Sequence, residues 1–168
     1  MPPIESEHKY IIEMPDIAEI CALAGYTRSE IEQIYLPSPV GVTRRIRSRR
    51  YGDTVVYTKT EKKRIDALSA IEDEVKISEE EYLRLAENKD PSSRPIRKVR
   101  HTAEYCTHTI EIDVYPEWKR CAVLEVEVES ASEVVNLPDF IKVIKEVTGR
   151  SEYSNASLSR HFPPEPYL

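Results

Sequence analysis

The sequence predicts an α+β protein built on an antiparallel sheet, and three observations carry that prediction. Eight segments read as strands bounded by turn-forming residues. Three stretches place apolar residues at helical spacing. The helices interrupt a series of strands rather than alternating with them, which suits antiparallel pairing better than a parallel sheet with crossover helices.

In chain order, the first strand is Ile4–Ile12. A helix follows Pro15-Asp16, with Ile17, Ile20, Cys21 and Ala24 on one side and Gly25 as its stop. Strands Ile31–Leu36, Val42–Tyr51 and Thr54–Thr60 come next, the last two joined by a tight hairpin at Tyr51-Gly52-Asp53-Thr54. Ile71–Ile77 is the fifth strand. The second helix opens on a capping box, Ser78 with Glu81, ahead of Tyr82 and Leu85. Pro91-Ser92-Ser93 and Pro95 break the chain before strands Pro95–Ala103, Thr107–Tyr115 and Cys121–Glu129. A third helix is expected from Asn136, with Pro138 in its first turn and Phe140, Val143, Ile144 and Val147 on one face before Gly149. One domain then covers residues 1–160. Pro163-Pro164-Glu165-Pro166 places a Pro-rich tail over 161–168, which is neither helix nor inner strand and is expected to fray.

Composition removes several function classes. Lys and Arg total 24 against 30 Asp and Glu, a net charge of −6 over 168 residues. Hydrophobic content of 40% excludes a disordered polyelectrolyte. No apolar run approaches the roughly 20 residues of a membrane span. Met1 to Tyr10 is acidic and polar, unlike a signal peptide. Cys21, Cys106 and Cys121 lack a Cys-x-x-Cys pair, so neither a disulfide scaffold nor a zinc ribbon is expected, and a reducing cytoplasm is the simple reading. Four glycines leave no glycine-rich phosphate loop. The Arg44–Arg50 run could serve as a nucleic-acid patch, but the surrounding carboxylates would repel a phosphate backbone.

The charges themselves are ordered. Residues two apart on a strand share a face. Glu5, Glu7 and Lys9 therefore point one way, as do Arg45, Arg47 and Arg49, Glu72 and Glu74, Lys98 and Arg100, Glu111 and Asp113, and Glu125 and Glu127. Lys59 stands alone on its strand. A solvated outer face would account for charge on one side of each strand. Segregated signs weigh against that, because like charges along and across strands repel unless something bound neutralises them. The other geometry closes the sheet with the charges inside. A barrel of about eight strands can hold one small ligand. Its arginines would grip phosphate oxygens as forks, and its carboxylates would suit a hard divalent cation.

At these residues the chain resembles the CYTH family, the triphosphate tunnel metalloenzymes. Glu5-Ser6-Glu7-His8-Lys9 is similar to the family's Glu-x-Glu-x-Lys signature. Gln33-Ile34-Tyr35-Leu36, Arg45-Ile46-Arg47, Tyr57-Thr58-Lys59, Glu72-Asp73-Glu74, Lys98-Val99-Arg100, Glu111-Ile112-Asp113 and Glu125-Val126-Glu127 follow in the family's order. Thr148-Gly149 and Tyr153-Ser154-Asn155-Ala156-Ser157-Leu158 resemble its closing segment. Arg150 departs from the pattern, since many relatives carry an acidic residue after the Thr-Gly. It lies off the expected strands and does not alter the activity expected.

The resemblance implies an eight-stranded antiparallel closed β-barrel, or tunnel, with covering helices. It also implies a metal-dependent triphosphatase that hydrolyses inorganic triphosphate or a related triphosphate with Mg²⁺ or Mn²⁺. The alternatives are a class IV adenylyl cyclase or a nucleoside or thiamine triphosphatase on the same site, and, in another class, a non-catalytic polyphosphate or nucleotide sensor. By the same analogy Lys9, Arg45, Arg47, Lys59, Lys98 and Arg100 would hold phosphate. Glu5, Glu7 and Glu125 or Glu127 would hold one metal ion, and Glu74, Asp113 and Glu127 a second ion or the attacking water. Lys9 and Glu127 are the expected catalytic residues. The expected partner is a small-molecule triphosphate, with no nucleic acid and no membrane, the protein being a cytoplasmic monomer or homodimer.

Overall fold

The computed structural model describes residues 4–166. Its strands are β1 (Ile4–Glu13), β2 (Ala24–Leu36), β3 (Val42–Tyr51), β4 (Thr54–Arg64), β5 (Ser69–Ile77), β6 (Ile96–Tyr105), β7 (His108–Val114), β8 (Cys121–Glu127) and β9 (Val143–Glu146). Its helices are α1 (Ile17–Cys21), α2 (Glu79–Ala86) and α3 (Asn155–Arg160). The strands pair antiparallel in the order β5-β4-β3-β2-β6-β7-β8-β1, and β1 returns to β5. Eight strands thus close into the expected antiparallel barrel. β1 divides its second edge: Ile4–Ser6 pair with β5, and Tyr10–Ile12 pair with β9.

Alternation sorts the side chains into an apolar exterior and a mixed interior. On the outer face, Ile12, Ile20, Ala103, Ile110, Ile112, Leu124, Val126 and Ile141 form one buried cluster, covered by α1 and the segment before β9. Ile34, Leu36 and Ile46 form a second beneath Tyr82 of α2. Asp16 caps α1 by accepting from Ala18 N at 2.9 Å, and Ser78 caps α2 by accepting from Glu81 N at 3.1 Å. Inside, one end of the barrel is filled. Ile11, Tyr35 and Val123 share strand parity with Lys9, Gln33 and Glu125, and they pack with Tyr115, Trp118, Tyr153 and Leu158. The C-terminal α3 segment therefore plugs that end, and the charged residues occupy the remainder.

Several boundaries differ from the sequence expectation. The third helix does not form: residues 136–149 make a loop and then β9, whose residues Val143, Lys145 and Glu146 take up the free upper edge of β1. Edge pairing outweighs the helical spacing of its β-branched residues. A helix does occur at Asn155–Arg160, where the Ser154 hydroxyl accepts from Ser157 N. β2 starts at Ala24, so the first helix stops at Cys21. The Gly52-Asp53 hairpin forms as expected, with Gly52 at φ 57°. A second two-residue turn uses Cys106 and Thr107 at φ 45° and 70°, so β7 begins at His108. The tail is docked as far as it is described: Trp118 Nε1 donates to Pro163 O at 3.1 Å, and Glu165 accepts from the Arg120 and Cys121 amides. Met1–Pro3, Tyr167 and Leu168 lie outside the described residues. Among the described residues, no helix is long and apolar enough to cross a membrane.

The turn after β9 rests directly on the β4–β5 connection. Gly149 has φ 73°, and a Cβ there would stand 2.6 Å from Ala67 Cβ. Gly149→Ala should lower unfolding stability by more than about 1 kcal/mol, since both backbone and space oppose it. A urea midpoint equal to that of the wild type would mean that this contact does not hold the closing segment.

Candidate active site

The barrel encloses a cavity of about 780 Å³. β1 supplies Glu5, Glu7 and Lys9 to its wall, and β3 supplies Arg45, Arg47 and Arg49. β5 adds Glu72 and Glu74. β6 and β7 add Arg100 and Glu111, and β8 adds Glu125 and Glu127. The acidic and basic rows therefore converge on enclosed space. The register Tyr35↔Arg45 and Arg45↔Thr60 fixes which arginines point inward. Arg44 instead meets Glu61 on the outside, at 3.0 Å.

Three expected site residues are placed elsewhere. Lys59 pairs with Ile46 across β3 and β4, and Ile46 belongs to the outer cluster under α2, so Lys59 faces outward. The inward cations of β4 are Lys62 and Arg64, beyond the expected end of that strand. Their signal was present in the sequence, because Thr58, Thr60, Lys62 and Arg64 share one parity. Lys98 and Asp113 lie inside the barrel but behind the cavity wall, 3% and 1% exposed. Both Asp113 oxygens are taken: Arg100 donates from Nε and Nη2 at 2.8 and 2.9 Å, and Lys98 Nζ donates at 2.7 Å. Asp113 thus orients Arg100 and neutralises Lys98, with both of its oxygens engaged by cations. Lys98 lies over the Tyr115 ring and reaches Asn155 Oδ1 at 3.4 Å, so it ties the plug to the wall. Conversely, Arg150, expected to be remote, lines the cavity together with Ser151, Ser154 and Asn155. The closing segment brings it there, which strand periodicity could not show.

The buried cations differ in their partners. Lys9 Nζ lies 3.4 Å from Glu125. Burial alone would lower its pKa, but Glu125 and Glu7 outweigh that and hold the ammonium above its usual range. Arg45 donates to Glu72 at 2.9 Å, while its Nε is buried without a partner among the described residues. Arg100 adds Glu111 at 2.9 Å to its Asp113 fork. Arg47 reaches only the neutral Gln33 Oε1, from Nε at 3.0 Å and Nη2 at 2.6 Å. Arg49 reaches Ser29 Oγ at 2.9 Å. Burial, with Arg45 and Arg100 nearby, draws the Arg47 guanidinium down to about 9. A guanidinium held this way has charge to spare for an anion.

The carboxyl groups pair among themselves. A hydrogen bond to Glu72, then burial, pushes Glu5 up to about 8. Burial and the charge of Glu125 push Glu7 up to about 8. Burial would raise Glu125 as well, but Lys9 and Arg100 hold it well below the usual carboxylate range. Glu127 is raised by burial and by Glu111. Among the described residues, no three His, Cys, Asp or Glu side chains form a ready-made metal cage. Glu5, Glu7, Glu72 and Glu125 all line the cavity, and an all-oxygen set of this kind suits a hard divalent cation. The residues present fit such an ion once phosphate and water oxygens complete its shell.

The closing segment also fixes Lys9. The Lys9 N–H donates to Thr148 Oγ1 at 2.9 Å, and its carbonyl accepts from Val147 N at 2.8 Å. Thr148 Oγ1 donates in turn to Glu146 at 2.7 Å, and His8 Nδ1 lies 3.1 Å from the same carboxylate.

No protein-family model and no curated protein matches the chain. Solved structures do. The inorganic triphosphatase NE1496 superposes with a TM-score of 0.58 at 22% identity, covering 96% of this chain and 97% of its own. The PH1819 protein from Pyrococcus horikoshii OT3 gives 0.58 at 21% identity, with 76% and 80% covered. HpAC1 from Hippeastrum, an adenylyl cyclase candidate described as having a dominant triphosphatase activity, gives 0.50 at 15% identity, with 74% and 80% covered. At these identities the likeness establishes the fold.

Proposed function

We propose that this chain is a divalent-metal-dependent triphosphatase of the CYTH, or triphosphate tunnel metalloenzyme, family, acting on inorganic triphosphate or a related triphosphate. One observation carries the reading: a barrel cavity of about 780 Å³ is lined by guanidinium groups that hydrogen-bond a neutral amide and a hydroxyl, and by the carboxyls of Glu5, Glu7, Glu72 and Glu125. The activities named for NE1496 and HpAC1 support it. Three free cysteines agree with a cytoplasmic setting.

Phosphoryl transfer needs placement and charge neutralisation more than covalent help. Arg47 and Arg49 would take phosphate oxygens first, with Arg45 and Arg100 held beside them by Glu72 and Asp113. Glu5, Glu7, Glu72 and Glu125 would hold Mg²⁺ or Mn²⁺, and Glu74 would face the same space. When bound, the ion would neutralise phosphate charge and lower the pKa of water. Lys9 would hold the terminal phosphate at the attacked end. Glu127 would orient the attacking water and accept its proton as the P–O bond to the leaving pyrophosphate breaks.

A phosphate-release panel tests this with inorganic triphosphate, ATP, GTP and thiamine triphosphate, each with Mg²⁺, Mn²⁺ or chelator. The expected result is metal-dependent release of phosphate and pyrophosphate from inorganic triphosphate. Cyclic AMP from ATP would transfer the site to the cyclase alternative. Binding of triphosphate without turnover under every condition would transfer it to the sensor alternative.

A further inference from the structure

The cavity arginines are not equivalent, and their partners on β2 set the difference. Arg45 and Arg100 are matched by carboxylates, Glu72 in one case and Asp113 with Glu111 in the other. Arg47, only 8% exposed, is matched by an amide that is itself fully buried. Gln33 accepts both Arg47 bonds on Oε1 and donates from Nε2 to Tyr35 OH at 3.1 Å, so the amide is locked in one orientation. Gln33 and Arg47 face each other directly in the β2–β3 register. A buried guanidinium facing a neutral partner is an expensive arrangement, because a carboxylate at the same place would satisfy its charge. The other charged groups around Arg47 do not remove the deficit. Arg45 and Arg100 repel it, and the attraction of Glu74 is spent in part on Thr60, which donates to that carboxylate at 3.0 Å.

We propose that Gln33 is a positioning residue, which keeps Arg47 oriented but electrically unmatched so that substrate phosphate supplies the missing negative charge. The inference rests on the triphosphatase reading above and adds to it the reason the binding focus sits at β3. Ser29 does the same for Arg49 one step along the strand, with a hydroxyl in place of a carboxylate. Arg47 and Arg49 also line a smaller adjoining space with Tyr51, Thr58, Glu74 and Lys76, so the focus lies between the main cavity and that second space.

Gln33→Glu is the decisive variant, since it changes one atom and places a carboxylate within reach of both Arg47 and the Tyr35 hydroxyl. The ligand-free variant should melt at or above the wild-type temperature, because a matched ion pair replaces an unmatched charge. Its affinity for inorganic triphosphate, read by thermal shift and by KM, should fall about 10- to 100-fold, the worth of one charge-assisted contact. Gln33→Met removes the acceptor but leaves the charge free. It should melt lower and, with Arg47 no longer held in place, bind triphosphate about three- to tenfold more weakly than the wild type but more tightly than Gln33→Glu. A Gln33→Glu protein that is unfolded, or that melts below the wild type, overturns the proposal, because a carboxylate would then fail to satisfy Arg47. Undiminished triphosphate binding by Gln33→Glu overturns it as well, while leaving the triphosphatase reading intact. Wild-type protein that neither binds nor cleaves triphosphate removes that reading and this inference together.

Discussion

Asp113→Ala should lower the unfolding free energy by about 3–5 kcal/mol, the cost of leaving buried charges without their partner. Asp113 is 1% exposed and serves two cations at once, Arg100 through both of its oxygens and Lys98 at 2.7 Å. Glu111 would still compensate part of Arg100, but among the described residues no second carboxylate pairs with Lys98. The pH dependence has a definite sign. Burial would raise the Asp113 carboxyl, but Arg100 and Lys98 hold it far below its ordinary value. An acid with a depressed folded pKa contributes stability above its unfolded pKa of about 3.9 and loses it as pH falls through that value toward the folded pKa. Urea melts of the wild type between pH 5 and pH 2, two values spanning about 3.9, should therefore show a steep loss of stability, and Asp113→Ala should flatten that slope. A variant within about 1 kcal/mol of the wild type at neutral pH would contradict a buried ion network, since that is the range of surface pairs.

Asp113 also shows where the sequence stops being legible. Alternation alone puts Glu5, Glu7, Lys9, Arg45, Arg47, Arg100, Glu125 and Glu127 on one face, and all of them line the cavity. The same alternation puts Asp113 on that face, correctly, but cannot show that its depth leaves it between Arg100 and Lys98. Strand period reports direction and carries no information on depth along the barrel axis. Lys59 failed for a different reason. It is the one charge within Thr54–Thr60, and the pairing Ile46↔Lys59 turns it outward. β4 runs on to Arg64, and Lys62 and Arg64 mark its inner face. The expected third helix reflects a limit of short-range pattern. Phe140, Val143, Ile144 and Val147 fit a helical period, but β1 has a free edge there because β5 covers only Ile4–Ser6. That vacancy exists only once the barrel has closed. Arg150 follows from the same event, since β9 delivers the turn after it to the cavity mouth.

Lys9→Ala should lower kcat for inorganic triphosphate by about 10²- to 10³-fold, the range for losing one preorganised donor to charge that develops in the transition state. Three features make its position more exacting than that of the arginines. Its ammonium lies inside the barrel, 3.4 Å from Glu125, and stays charged because Glu125 and Glu7 outweigh its burial. Its backbone is gripped on both sides by the closing segment, through Thr148 Oγ1 and Val147 N. It is also the one cation on the strand that carries Glu5 and Glu7, so it stands among the carboxyls proposed to hold the ion. Binding should suffer less than turnover, because Arg47 and Arg49 remain. KM should accordingly change by less than about tenfold while kcat collapses, the signature of a contact that matters most in the transition state. Lys9→Arg should not rescue the rate, since a planar fork cannot take the place of a compact ammonium on that short arm. Folding should survive, because Arg100 as well as Lys9 holds the Glu125 carboxylate in its charged form. If Lys9→Ala retained kcat within about threefold, under 1 kcal/mol of barrier by the same conversion, the reacting end of the cavity would have to lie nearer Arg47 and Arg49 of β3 than β1.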